Sequence, residues 1–151
     1  MARVLTLGTS AAVPDELHAS THLAIDNDGG FFLVDCGASP VLRIRRAGLD
    51  LECLRGLIIT HFHPDHVAAA PVLLMDTWLL GRTAPLPVYG LQDVIDRFDV
   101  LMDLFRQDEW PGFFAVPHRV IPEEVGALVV ETDTFRITSA PVEHVVPNIG
   151  L

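Results

Sequence analysis

Between positions 60 and 66 the chain reads Thr60-His61-Phe62-His63-Pro64-Asp65-His66, so three of its seven histidines and one aspartate fall within six residues. Imidazole and carboxylate are the donors that zinc accepts besides thiolate. In an extended segment, residues two apart project to the same side, so His61 and His63 can grip one ion. Pro64 then turns the chain, leaving Asp65 and His66 aimed elsewhere, near a helix start, where they can serve a second ion. Three imidazoles beside a carboxylate, set between apolar elements, would be costly to bury without a cation or solvent to satisfy them. Metal binding is therefore the chemistry this segment points to.

The flanking elements have to hold that loop. Leu57-Ile58-Ile59 is a short apolar run, suited to a strand buried on both faces, and it leads straight into Thr60. On the other side, Val67 to Leu80 is apolar nearly all round, interrupted mainly by Asp76 and Thr77, and is expected to form one buried helix with Pro71 tolerated near its start. Upstream, Val4-Leu5-Thr6-Leu7 reads as a strand ending at Gly8. Leu23-Ala24-Ile25 and Phe31-Phe32-Leu33-Val34 flank Asn27-Asp28-Gly29-Gly30, a hairpin signal. Ser39-Pro40 reads as a helix cap with proline in the first helical position; the helix carries Arg43, Arg45 and Arg46 in its last turns and should stop at Gly48.

Downstream, Pro87-Val88-Tyr89 reads as a strand. Leu91, Val94, Ile95, Phe98, Leu101, Met102 and Phe105 follow helical spacing, with Asp93, Asp96, Arg97 and Asp103 on the other side. Ala127 to Val142 reads as a hairpin turning at Thr132-Asp133-Thr134. Alternating strands and helices, without internal repeats, predict a single α/β layered domain over 1–151.

Half of the 151 residues are hydrophobic and 20% are charged, enough for one sizeable core and unlike a disordered chain. No window is apolar and long enough to span a membrane. Met1-Ala2-Arg3-Val4-Leu5 shows no signal-peptide pattern, so a cytoplasmic location is expected. Cys36 and Cys53 read as free thiols in a reducing compartment, with a disulfide as the lesser alternative. Ten basic residues against twenty acidic ones give a formal net charge of −10. That is unlike an RNA-binding surface and is read first as a solubility feature. His18, His22 and His118 have no partner at ligand spacing and are read as surface or satisfied core histidines.

His61-Phe62-His63-Pro64-Asp65-His66 resembles the H-x-H-x-D-H motif of the metallo-β-lactamase superfamily. Leu7-Gly8-Thr9-Ser10-Ala11-Ala12-Val13-Pro14 resembles the first strand and active-site loop of its ribonuclease Z and arylsulfatase-like branch. Val34-Asp35-Cys36-Gly37 resembles that branch's strand-end aspartate motif, and Glu143-His144-Val145-Val146-Pro147 the segment carrying a further histidine ligand. The resemblance implies an αββα sandwich, of which this chain is roughly the N-terminal half. It implies that His61, His63 and His144 complete one zinc site, that Asp65 and His66 begin a second, and that Asp35 braces the metal loop from behind. A bridging aspartate and a last histidine would lie downstream of Leu151, so the second ion would have two protein ligands at best in this sequence.

By that resemblance the function is metal-dependent hydrolysis. The complete site would hold two zinc ions, with Asp65 orienting the attacking hydroxide. The leading substrate is a phosphodiester, as in tRNA 3′ processing. The alternatives are a small ester, sulfate, cyclic nucleotide or lactone, or a truncated metal-binding module that needs a partner and has no turnover. Pro64 stands where the family commonly has glycine. Incomplete cover for the apolar helix predicts a homodimer.

Overall fold

The computed structural model describes residues 2–27 and 29–151. Six strands form the main sheet in sequence order: β1 (Arg3–Gly8), β2 (His22–Asn27), β3 (Gly30–Val34), β4 (Leu54–Ile58), β5 (Val88–Gly90) and β6 (His118–Val120). β2 pairs antiparallel with both β1 and β3, whereas β3 through β6 are parallel. A second sheet holds β7 (Ala127–Glu131), β8 (Arg136–Pro141) and β9 (Ile149–Gly150). Among the described residues four α-helices connect the strands: α1 (Pro40–Arg46), α2 (Pro64–Val67), α3 (Ala70–Leu79) and α4 (Gln92–Leu104). Among the described residues no helix is long and apolar enough to cross a membrane.

The middle of the main sheet is covered on both faces. Every residue of β3 is buried, which an apolar run without alternation requires. On one face Phe32 meets Tyr89 and, across the layer boundary, Phe135 of the turn between β7 and β8, each edge to face at 6.1 Å. On the same face Gly56 leaves room for the Phe32 and Tyr89 rings, which a side chain there would strike. Neighbouring residues of a strand point to opposite faces, so Phe31 and Leu33 enter the other layer. Phe31, Leu33, Leu57, Ile58, Ile59, Ile44, Leu73 and Leu74 are all fully buried in one continuous core. Each such side chain stabilises the fold by about 1.5–3 kcal/mol relative to an exposed position.

The expected strands and helices are present, with informative differences. The hairpin between β2 and β3 pairs Asn27 with Gly30; Asp28, like Met1, lies outside the described residues. The helix expected from Val67 to Leu80 does not begin at Val67: the short α2 ends there, and α3 starts only at Ala70. The break has a local cause. In a continuous helix the Ala69 amide would donate to the Asp65 carbonyl, but here it donates to the Cys36 carbonyl at 2.9 Å. Pro71 has no amide to donate at all. Nor is α3 buried all round: Ala70, Leu73, Leu74 and Thr77 face inward while Val72, Met75 and Leu79 are exposed.

Ser39 does not act as a side-chain cap. It sits in the left-handed region (φ 47°) and makes no capping hydrogen bond. Gly48 ends α1 as expected, at φ 74°. Phe105, expected on the buried side of α4, is exposed just beyond that helix. The short strands β6 and β9 had no sequence signal, since two or three residues carry no periodicity. Cys36 is a buried free thiol whose pKa burial pushes up, and Cys53 is an exposed free thiol.

Candidate metal centre

The parallel strands β3 and β4 end side by side, with Val34 opposite Ile58. The loops that follow therefore emerge at the same carboxyl edge of the sheet, where open α/β sheets place their ligands. The first loop carries Asp35-Cys36-Gly37, and the second carries Thr60 through His66. The Asp35 amide donates to the Ile58 carbonyl (2.8 Å), and the backbone at Asp35 then turns through the left-handed region, φ 61°. That conformation is uncommon for a residue with a side chain, though aspartate tolerates it better than most. It is held here by what the carboxylate does. Asp35 Oδ1 accepts from the Thr60 amide at 2.8 Å, and Asp35 Oδ2 accepts from His66 Nδ1 at 2.7 Å. The carboxylate thus ties both ends of the histidine loop to the end of β3.

Backbone packing closes the joint. Gly37 lies so near the Asp65 carbonyl oxygen that a Cβ built at Gly37 would stand 1.7 Å from it. Only glycine fits.

The third element comes from the second sheet. β8 and β9 are joined by a loop that carries His144, closed by the Val142 amide donating to the Asn148 carbonyl at 3.0 Å. The Ile149 amide donates to the Thr60 carbonyl at 3.2 Å, which fastens this loop to the start of the histidine segment. Two sheets and one turn of helix therefore meet at one point.

The result is a convergence of imidazole nitrogens. His63 Nδ1 is 3.1 Å from His61 Nε2 and 3.2 Å from His144 Nε2. All three donor atoms lie within 4.8 Å of one another. A tetrahedral zinc with Zn–N bonds of about 2.0–2.1 Å separates its ligand nitrogens by about 3.3 Å. The donor set and spacing fit one such ion. His61 is buried, His63 half-buried and His144 exposed, so the group opens to solvent on one side.

Beside it stands a second pair of donors. Asp65 Oδ2 and His66 Nε2 are 3.3 Å apart, and the His66 ring is 4.0 Å from the His61 ring, centroid to centroid. The histidine loop thus brings together His61, His63 and His144 as one group, with Asp65 and His66 beside them and Asp35 behind. His61 and His63 lie on one side of the extended segment and Asp65 and His66 past the Pro64 turn, as their spacing implies.

Burial and its neighbours set the charge of these rings. Burial pushes the His61 pKa down to about 4, helped by the neighbouring His66, so at neutral pH this imidazole is uncharged and has a lone pair to give. His66 shifts the other way, because its hydrogen bond to Asp35 favours the protonated ring.

The other histidines are elsewhere. His18 Nδ1 bonds Asp15 at 2.8 Å in an exposed turn, and His118 Nε2 lies 3.2 Å from Asp99. His22 is fully buried: Nδ1 donates to the Ser20 carbonyl at 2.8 Å, whereas Nε2 has no partner among the described residues. Burial pushes its pKa down. It is a core histidine, but only half satisfied. Sequence reasoning missed Thr60, whose amide, hydroxyl and carbonyl all contact the site. Its position between a buried strand and the first histidine was the available signal.

The family model for the metallo-beta-lactamase superfamily matches residues 16–144. Ribonuclease Z of Methanothermobacter thermautotrophicus is 33% identical over 151 residues, covering 99% of this chain and 47% of that protein. Ribonuclease Z of Mycobacterium sp. (strain KMS) is 31% identical, covering 99% of this chain and 56% of that one. Among solved structures, the short form of human tRNase Z superposes with a TM-score of 0.78 at 23% identity, covering 97% of this chain and 62% of that one. The metallo-beta-lactamase fold protein YhfI of Bacillus subtilis gives 0.72 at 21% identity, covering 97% and 54%. The chain spans about half the length of the curated relatives it matches. With the matched region running through most of its length, and with the helix, sheet and sheet layers in place, this chain belongs to the metallo-β-lactamase superfamily.

Proposed function

We propose that the chain carries the zinc-binding part of a metal-dependent hydrolase, and that the bond it cleaves is a phosphodiester, as in ribonuclease Z. The observation that carries this reading is the convergence of His61 Nε2, His63 Nδ1 and His144 Nε2, with the Asp65 and His66 donors beside them. His61, His63 and His144 hold the first ion; Asp65 and His66 supply two ligands to a second. Zinc held in such a site supplies a Lewis acid that lowers the pKa of water toward neutrality. The chain's own groups do the rest. Asp65, half-buried at the rim, orients the attacking water and accepts its proton. Asp35 holds the loop in place through Thr60 and His66, so the donors need not be organised anew for each turnover. Cleavage of precursor tRNA is the leading substrate reading, supported by the two ribonuclease Z relatives. The outward apolar row Val72, Met75 and Leu79 supports association of two copies.

The test is hydrolysis of bis(p-nitrophenyl) phosphate, run beside a precursor tRNA and a metal count. Zinc-replete protein should turn over the diester, lose that activity to a chelator and regain it with added zinc. Zinc-replete protein with no turnover of either substrate, holding one ion or none, would leave only the metal-binding module.

A further inference from the structure

Thr60 stands between the Asp35 carboxylate and the first histidine of the cluster. Its hydroxyl oxygen lies 3.0 Å from both Asp35 Oδ1 and Oδ2, and 3.0 Å from His61 Nδ1. A threonine hydroxyl has one hydrogen to give and lone pairs to accept with. The carboxylate has none to give, so the contact with Asp35 is made by the Thr60 hydrogen. The remaining contact then requires a proton on His61 Nδ1, donated to the Thr60 oxygen. The reverse assignment would set the hydroxyl lone pairs against two carboxylate oxygens.

We infer that Thr60 is a positioning residue that fixes the tautomer of His61: Asp35 accepts from the Thr60 hydroxyl, which accepts from His61 Nδ1–H, leaving the Nε2 lone pair aimed at His63 and His144. The inference rests on the metal reading of the preceding section. It adds that one carboxylate sets two rings at once, His66 directly through Nδ1 and His61 through the threonine. Imidazole ligands of metals are ordinarily set by such a hydrogen bond from the ring's other nitrogen. His61 is the buried member of the cluster, so it has the least water available to do this instead. The Thr60 oxygen is within reach because the Thr60 amide and carbonyl are both pinned, to Asp35 and to the Ile149 amide.

The experiment is ring-nitrogen NMR of the zinc-free chain near neutral pH, together with zinc affinity measured by chelator competition for the native protein, Thr60→Val and Thr60→Ser. In the native protein His61 should carry its proton on Nδ1, opposite to the preference of an isolated imidazole. Thr60→Val keeps the shape and removes the hydroxyl. It should mix the tautomers and weaken zinc binding by about 10–100-fold, the usual cost of losing a ligand's hydrogen-bond partner. Thr60→Ser should restore both to within a few-fold. A purely structural threonine would change thermal stability and leave tautomer and affinity alone, and that outcome overturns the proposal. The native spectrum decides the matter even if the valine variant fails to fold. A zinc-binding native protein with its His61 proton on Nε2 overturns this proposal alone, whereas a native protein without zinc affinity overturns the metal reading and the proposal with it.

Discussion

Replacing His63 by alanine should abolish zinc uptake at the three-imidazole site. His63 is the middle member of the group: its Nδ1 is the atom within 3.1–3.2 Å of both other donors. Without it, His61 and His144 are two imidazoles facing an open side, and a structural or catalytic zinc site ordinarily has at least three protein ligands. The loss should therefore exceed the roughly 10–100-fold that follows from removing a ligand's hydrogen-bond partner. The fold should survive. His63 is half-buried, precedes α2 and makes no side-chain capping bond to that helix. Chelator competition on native and His63→Ala protein, with far-ultraviolet circular dichroism as the control, checks this. Unchanged zinc affinity in a folded variant would refute the ligand assignment.

Gly37→Ala should damage stability and the metal centre together, although position 37 touches no ligand atom. The added carbon would stand 1.7 Å from the Asp65 carbonyl oxygen and 3.0 Å from the Ser20 Cβ. The first neighbour is backbone, so no rotamer change relieves the clash; one loop has to move. The same loop holds the Ala69 amide through the Cys36 carbonyl and presents the Asp35 carboxylate to Thr60 and His66. Forcing extra volume into a packed joint costs about 1–3 kcal/mol, sometimes more. A domain is stable by only about 5–15 kcal/mol in all. Urea unfolding should show a lower midpoint at unchanged slope, and zinc affinity should fall in parallel. A variant with native stability and native affinity would contradict the joint as described.

Much of this was written plainly in the sequence, and the exceptions have physical causes. The strand β4 announces itself through the continuous apolar run Leu57 to Ile59, the hairpin through its turn residues around Asn27 and Gly30, and α4 through apolar spacing that matches the helical period. The grouping of His61, His63, Asp65 and His66 is legible because residues close in sequence need only local geometry to converge. His144 is different. It reaches the group only because the loop between β8 and β9 is fastened to Thr60, a contact 89 residues away in the chain that no local pattern records. For His144 the family resemblance supplied what spacing could not. The break between α2 and α3 was hidden for a related reason: Val67 to Met75 is an unbroken apolar run, and what interrupts the helix there is a carbonyl from Cys36. Ser39 looked like a cap by residue type, yet its backbone took a conformation from which the side chain makes no capping bond.

The proposed chemistry requires that His61, His63 and His144 close around a cation. X-ray absorption at the zinc edge, on protein loaded with one equivalent of zinc, reads that first shell directly. Three imidazole nitrogens at about 2.0–2.1 Å are expected, with oxygen filling what remains of the shell. A shell of oxygen alone, or of sulfur at about 2.3 Å from the two cysteines, would contradict it.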